Sequence, residues 1–141
     1  MNRGTIKIRE TEHHGFVVEI QTADGKLWLT KHEIADLFNV TISSISNCLY
    51  SIFKSGLLQE RDVTQTHLFD QNGKQCQTTL YNLEIIIFVS YRIASGEARV
   101  FRQWVMKIIC KNTIDVKRVY KGEVMMVNNL VKDLSIISIL N

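Results

Sequence analysis

The spacing of hydrophobic and polar positions changes several times along the chain, and each change predicts an element. Between Thr30 and Lys54 the apolar residues fall at helical spacing. Ile34, Leu37 and Phe38 stand at i, i+3, i+4, and Ile42, Ile45, Cys48 or Leu49, Ile52 and Phe53 form the next stripe. Two short helices joined by a tight turn are predicted. Thr30 can accept from the Glu33 N–H while the Glu33 carboxylate reaches back, which makes a capping box. Asn39 tolerates the left-handed conformation that ends a helix, and Thr41 can cap the second one. Gly56 stops it, with Lys54 in the last turn.

Upstream, Phe16–Ile20 is β-branched and aromatic, Asp24-Gly25 is a turn pair, and Leu27, Trp28 and Leu29 follow. This predicts a hairpin around the Asp-Gly turn that feeds the Thr30 cap. Ile6 and Ile8 alternate with polar residues over too short a run to define a strand. Downstream, residues 59–67 are polar and read as loop. Thr66–Phe69 and Lys74–Tyr81 flank Asn72-Gly73, the preferred type I′ pair, so a second hairpin is predicted. Leu83–Ala94 is apolar almost all round. Its length and the Asn82 cap favour a buried helix over a strand, despite three consecutive isoleucines. Ser95-Gly96 breaks it. From Glu97 to Lys111 an amphipathic helix is predicted, with Ala98, Phe101, Trp104 or Val105 and Ile108 inside. Arg99, Arg102, Gln103, Lys107 and Lys111 lie outside. Tyr120, Val124, Val127, Val131 and Leu134 then permit a helix with a narrow apolar seam.

These elements predict an α+β fold. Residues 1–113 would form a winged helix-turn-helix-like domain with an N-terminal β-hairpin, a wing hairpin and C-terminal helices. Residues 114–141 would form a helical tail, either a dimerisation segment or the start of a truncated region. At 141 residues, with 45% hydrophobic and 22% charged, the chain can bury one core and has an ordinary soluble composition. No run of about 18 uncharged apolar residues occurs, so no membrane helix is expected. The N-terminus MNRGTIKIRE has no apolar signal-peptide core. Cys48, Cys76 and Cys110 are odd in number and far apart, which favours a reduced, cytoplasmic setting. His13 and His14 are adjacent rather than at metal-ligand spacing, and no Cys-x-x-Cys occurs. No metal or cofactor is expected.

The chemistry concentrates on the helix pair. In a helix-turn-helix the first helix braces and the second lies in the DNA major groove. Here the second helix would present Ser43, Ser44, Ser46, Asn47 and Tyr50, with Thr41 at its start. An ordinary helical hairpin with a wetted polar face would show the same stripe. Lys31, His32, Lys54 and Lys74 are candidates to hold the DNA backbone, Lys74 from the tip of the wing. A plain surface hairpin is the competing reading of that ribbon. The net charge is only +3, but residues 97–121 carry seven basic and two acidic groups. Arg99, Arg102 and Lys107 are therefore candidates for a second phosphate surface, or for ion pairs inside the domain. Arg102 could also serve structurally, stacked on Trp104 or paired with an acid. No paired carboxylates, glycine-rich phosphate loop or Cys–His arrangement points to an enzyme.

Four blocks in order, WLTKHEIADLF (28–38), NVTISSISNCLYSIFKSGLL (39–58), YNLEIIIFVSYRI (81–93) and VFRQWVMKII (100–109), resemble the N-terminal part of the RhuM family. That family is named for a virulence protein and occurs in bacteria and mobile elements. The last block is also similar to the Phe-Arg-x-Trp signature of phage antirepressor Bro-N-type domains. The likeness spans roughly residues 12 to 113. It implies a DNA-binding protein, transcription-regulator or antirepressor-like, rather than an established reaction, with double-stranded DNA as partner. Where such proteins often carry an Arg and a His or Lys on the second helix, this chain has Ser43, Ser44, Ser46 and Asn47. A homodimer would suit a single short recognition helix. No membrane or small-molecule partner is expected. The alternative is a protein–protein interaction module that keeps the winged-helix shape.

Overall fold

The computed structural model describes residues 2–13 and 15–120, with the helical backbone alone over residues 112–120. Among these residues the fold is mixed α+β, with five helices and two small antiparallel sheets.

Strands β1 (Thr5–Thr11) and β2 (Gly15–Gln21) pair with each other in register Ile6↔Ile20 and Ile8↔Val18. This corrects the first predicted hairpin, which joined residues 16–20 to residues 27–29. The Asp24-Gly25 turn does form, both residues at positive φ, but it closes only the Ala23–Lys26 pair. The reason lies in hydrogen-bond supply. β1 offers β2 a partner along its full length, whereas residues 27–29 run straight into a helix cap. Gly4 packs close at this corner. It adopts φ 77°, and a Cβ there would come within 2.7 Å of the Gln21 carbonyl oxygen.

The second sheet has order β3–β5–β4, from β3 (Trp28–Leu29), β4 (Thr64–Gln71) and β5 (Lys74–Asn82). Its hairpin turns through Asn72 and Gly73, both at positive φ, as the sequence predicts. The strand begins earlier than expected. Within the stretch read as loop, α3 (Glu60–Val63) forms and β4 starts at Thr64. The fully buried Val63 pins that stretch to the core.

Helices α1 (Lys31–Phe38) and α2 (Ile42–Ser55) follow the predicted boundaries. The capping box is present, with Glu33 N–H donating to Thr30 Oγ1 at 3.1 Å and Thr30 N–H to Glu33 Oε1 at 2.9 Å. Asn39 is left-handed, and Gly56 ends α2 in the same conformation. Helix α4 (Leu83–Ser90) starts at the Asn82 cap but ends about a turn before Ala94. Helix α5 (Gly96–Tyr120) starts at Ser95, whose Oγ accepts from the Ala98 N–H at 3.1 Å. It continues past Lys111 and across residues 113 and 114. The predicted seam from Val124 to Leu134 lies outside the described residues.

Ile34, Phe38, Ile45, Ile52, Ile85, Ile86, Val89, Phe101 and Val105 are buried where α1, α2, α4 and α5 meet, and Tyr81 closes the core from the sheet. Each such side chain contributes about 1.5–3 kcal/mol. Phe38 and Phe101 meet edge to face with centroids 5.4 Å apart, tying α1 to α5. A T-shaped pair of this kind adds about 0.5–1.5 kcal/mol beyond burial.

Candidate nucleic-acid interface

The apolar stripe of α2 (Ile45, Cys48, Leu49, Ile52) is buried against α1 and α4. Burying that stripe leaves the opposite face outward. Ser43, Ser44, Asn47 and Tyr50 are exposed and Ser46 is partly so. Ser44, Asn47 and Ser51 fall at three- and four-residue spacing, so they lie in one row along the helix. At its start, Thr41 Oγ1 accepts from the Ser44 N–H at 3.2 Å, and the two hydroxyls lie 2.9 Å apart. Thr41 is thus a cap as well as a surface residue. Among the described residues no hydrogen bond engages the side chains of Ser43, Ser46 or Asn47. Their donors and acceptors are free for a ligand. Tyr50 is 67% exposed, with the Lys54 Nζ 5.6 Å from its ring centroid.

Lys31 and His32 stand in the first turn of α1, half-buried and exposed respectively. Lys31 and His32 therefore sit at the opposite end of the helix pair in sequence from Lys54. Lys74 is exposed at the hairpin tip, opposite Gln71. The exposed Leu68 and half-exposed Phe69 share that ribbon, and His67 stacks on Phe69 with centroids 6.4 Å apart.

Arg99, Arg102 and Lys107 do come together, lining one open groove of about 860 Å³ between α5 and the turn after α4. They are not equivalent. One terminal nitrogen of Arg102 donates to the Ser90 carbonyl at 2.5 Å and the Ile93 carbonyl at 2.8 Å. Ser90 is the last residue of α4, where carbonyls lose their helical donors, and Ile93 lies in the turn beyond it, so Arg102 holds that corner. This is the structural role, with backbone carbonyls as partners in place of Trp104 or an acid. Arg99 and Lys107 are exposed, and no ion pair engages them among the described residues.

Two pairings around the helix pair escape a sequence reading, although Arg92 itself belongs with the basic set of Arg99, Arg102 and Lys107. Arg92, from the turn after α4, donates to Ser51 Oγ at 2.9 Å, across 41 positions. Arg3 binds both Glu33 oxygens, at 2.5 and 3.3 Å, and the Trp28 carbonyl at 3.1 Å. No local pattern announces either pairing. Burial pushes the Glu33 carboxyl up, but the hydrogen bonds from Arg3 and Thr30 and the Arg3 charge outweigh it, so its pKa is lowered. Burial raises the Cys48 thiol against the opposing charge of Arg92. Burial, with Glu60 nearby, likewise raises Tyr81. Cys48 is therefore a protonated core residue at neutral pH.

Among the described residues no helix is long and apolar enough to cross a membrane, and no cluster of His, Cys, Asp and Glu is placed to hold a metal ion. No protein-family model, curated protein or solved structure matches the chain.

Proposed function

We propose that the chain is a winged helix-turn-helix module that reads duplex DNA with the outer face of α2. The observation that carries this reading is the row of unbonded polar side chains there, Ser43, Ser46 and Asn47, on a rigidly backed helix. A helix of this kind fits the major groove, where Asn recognises adenine bidentately and Ser reaches several base edges. The topology supports it. A strand precedes the helix pair, a hairpin follows it, and the strand pairs with the hairpin's second strand. Lys74 at the ribbon tip, Lys54 beside Tyr50, and Lys31 and His32 on α1 supply backbone contacts. Membership of the RhuM family, a cytoplasmic regulatory role and dimerisation through the tail belong to the same proposal.

The experiment is fluorescence anisotropy of labelled duplex DNA, first random in sequence and then a site selected from it. Binding should weaken linearly with salt on logarithmic axes. S46A/N47A should weaken the selected site by about 1–3 kcal/mol per lost base contact while leaving random-sequence binding in place. No binding to any duplex at low salt sinks the proposal. Exposed Ile42, Tyr50 and Leu57 along α2 and its exit favour the second reading, a protein–protein interaction module. In that case a partner would protect these residues and DNA would not.

A further inference from the structure

The reading face of α2 carries no charge until Lys54, yet a DNA-binding module draws most of its affinity from phosphates. The charge has to come from a neighbouring element. We infer that one strand of the duplex passes from α2 into the groove between the α4–α5 turn and α5, where Arg92, Arg99 and Lys107 each bind a phosphate along that strand. This rests on the DNA-binding reading above and says where the backbone runs.

Three observations carry it. First, the groove is joined to the reading face. Arg92 lines it and also donates to Ser51 Oγ at 2.9 Å, and Ser51 continues the row of Ser44 and Asn47. A strand held by Arg92 is therefore already beside α2. Second, the groove has one sign of charge. Arg92, Arg99, Arg102 and Lys107 line it together with the half-exposed Tyr91 and Met106, and among the described residues no acidic one does. Among the described residues no carboxylate pairs with any of the four. Unpaired cations lining one concave surface concentrate positive potential there. Third, the dimensions suit a run of phosphates. Arg99 and Lys107 stand about 12 Å apart along α5 at 1.5 Å per residue, against about 3.4 Å of duplex axis per phosphate on one strand. A single small anion would leave most of that length unused. Arg102 lends its charge to the wall while its guanidinium stays on the Ser90 and Ile93 carbonyls.

The test compares salt slopes of random-sequence duplex binding by anisotropy for the whole chain and its variants. R99Q/K107Q should flatten the log–log slope by about 1.8, and R92Q/R99Q/K107Q by about 2.7, at about 0.9 per phosphate. K7Q/K26Q removes two charges elsewhere on the surface and should change the slope by much less. Arg99 and Lys107 are exposed and have no ion-pair partner among the described residues, so R99Q/K107Q should keep the parent melting temperature and the comparison stays between folded proteins. If the parent binds duplex but both groove variants keep its slope, or lose no more than K7Q/K26Q, the groove assignment is overturned and the α2 reading stands. If the parent binds no duplex at the lowest salt, both fall together.

Discussion

Glu33 shows how much one side chain can hold and how little of that a sequence reveals. Its carboxylate returns to the Thr30 N–H, closing the capping box that the Thr-x-x-Glu spacing predicts. The same carboxylate grips Arg3, 30 positions away, and that guanidinium also takes the Trp28 carbonyl. The cap was legible because both partners lie within one turn. The Arg3 clamp was not, because it depends on where the N-terminal segment passes. Both pairs are partly exposed, so water screens the ion pair and the cap is worth about 1 kcal/mol. The Glu33 pKa is lowered on folding. Its contribution is therefore complete above the unfolded carboxylate range and is lost as pH falls through the lower folded value. Melting temperature against pH should show it. E33Q should melt below the parent at neutral pH, and the gap should close as the solution becomes acidic.

The elements divide along the same line. α1 and α2 form where their stripes, caps and stops agree, and the β4–β5 ribbon forms on its Asn-Gly turn. The end of α4 was not legible, since Tyr91, Arg92, Ile93 and Ala94 contain no glycine or proline to stop a helix. Arg102 stabilises the stop by taking the Ser90 and Ile93 carbonyls from the next helix. The β1–β2 pairing was hidden too, because the brief alternation of Ile6 and Ile8 is too weak to outbid an Asp-Gly turn. R102Q should lower stability to urea by about 1.5–3 kcal/mol, the range for a hydrogen bond from a charged group. R99Q, a substitution on the same helix without such a bond, should stay within about 0.5 kcal/mol. Equal costs for the two would refute the corner role. The candidate site follows suit. The outward row of α2 came directly from its period, whereas the approach of Arg92 to Ser51 exists only after α4 and α2 have packed.

At the scale of the whole molecule, stability depends on helices that meet far from one another in sequence. Phe38 and Phe101 are both fully buried, 63 positions apart, and touch edge to face. F101A should cost about 3–5 kcal/mol by urea denaturation, since α1 and α5 are both backed against that ring. A loss below about 1 kcal/mol would mean that the two helices do not share this core. Their packing ultimately springs from two adjoining junctions. Leu29 pairs with Tyr81 and Trp28 with Asn82, so β3 and β5 lie side by side where each hands over to a helix, α1 at Thr30 and α4 at Asn82. No spare residue stands at either handover. One residue inserted there would swing the following helix by about 100° and turn its apolar stripe out of the core. The tips at Glu12-His13 and at Asn72-Gly73 only lengthen a ribbon when they grow. Divergence in length, and any tag or reporter grafted into this chain, is thereby steered to the two hairpin tips and barred from the seam between them.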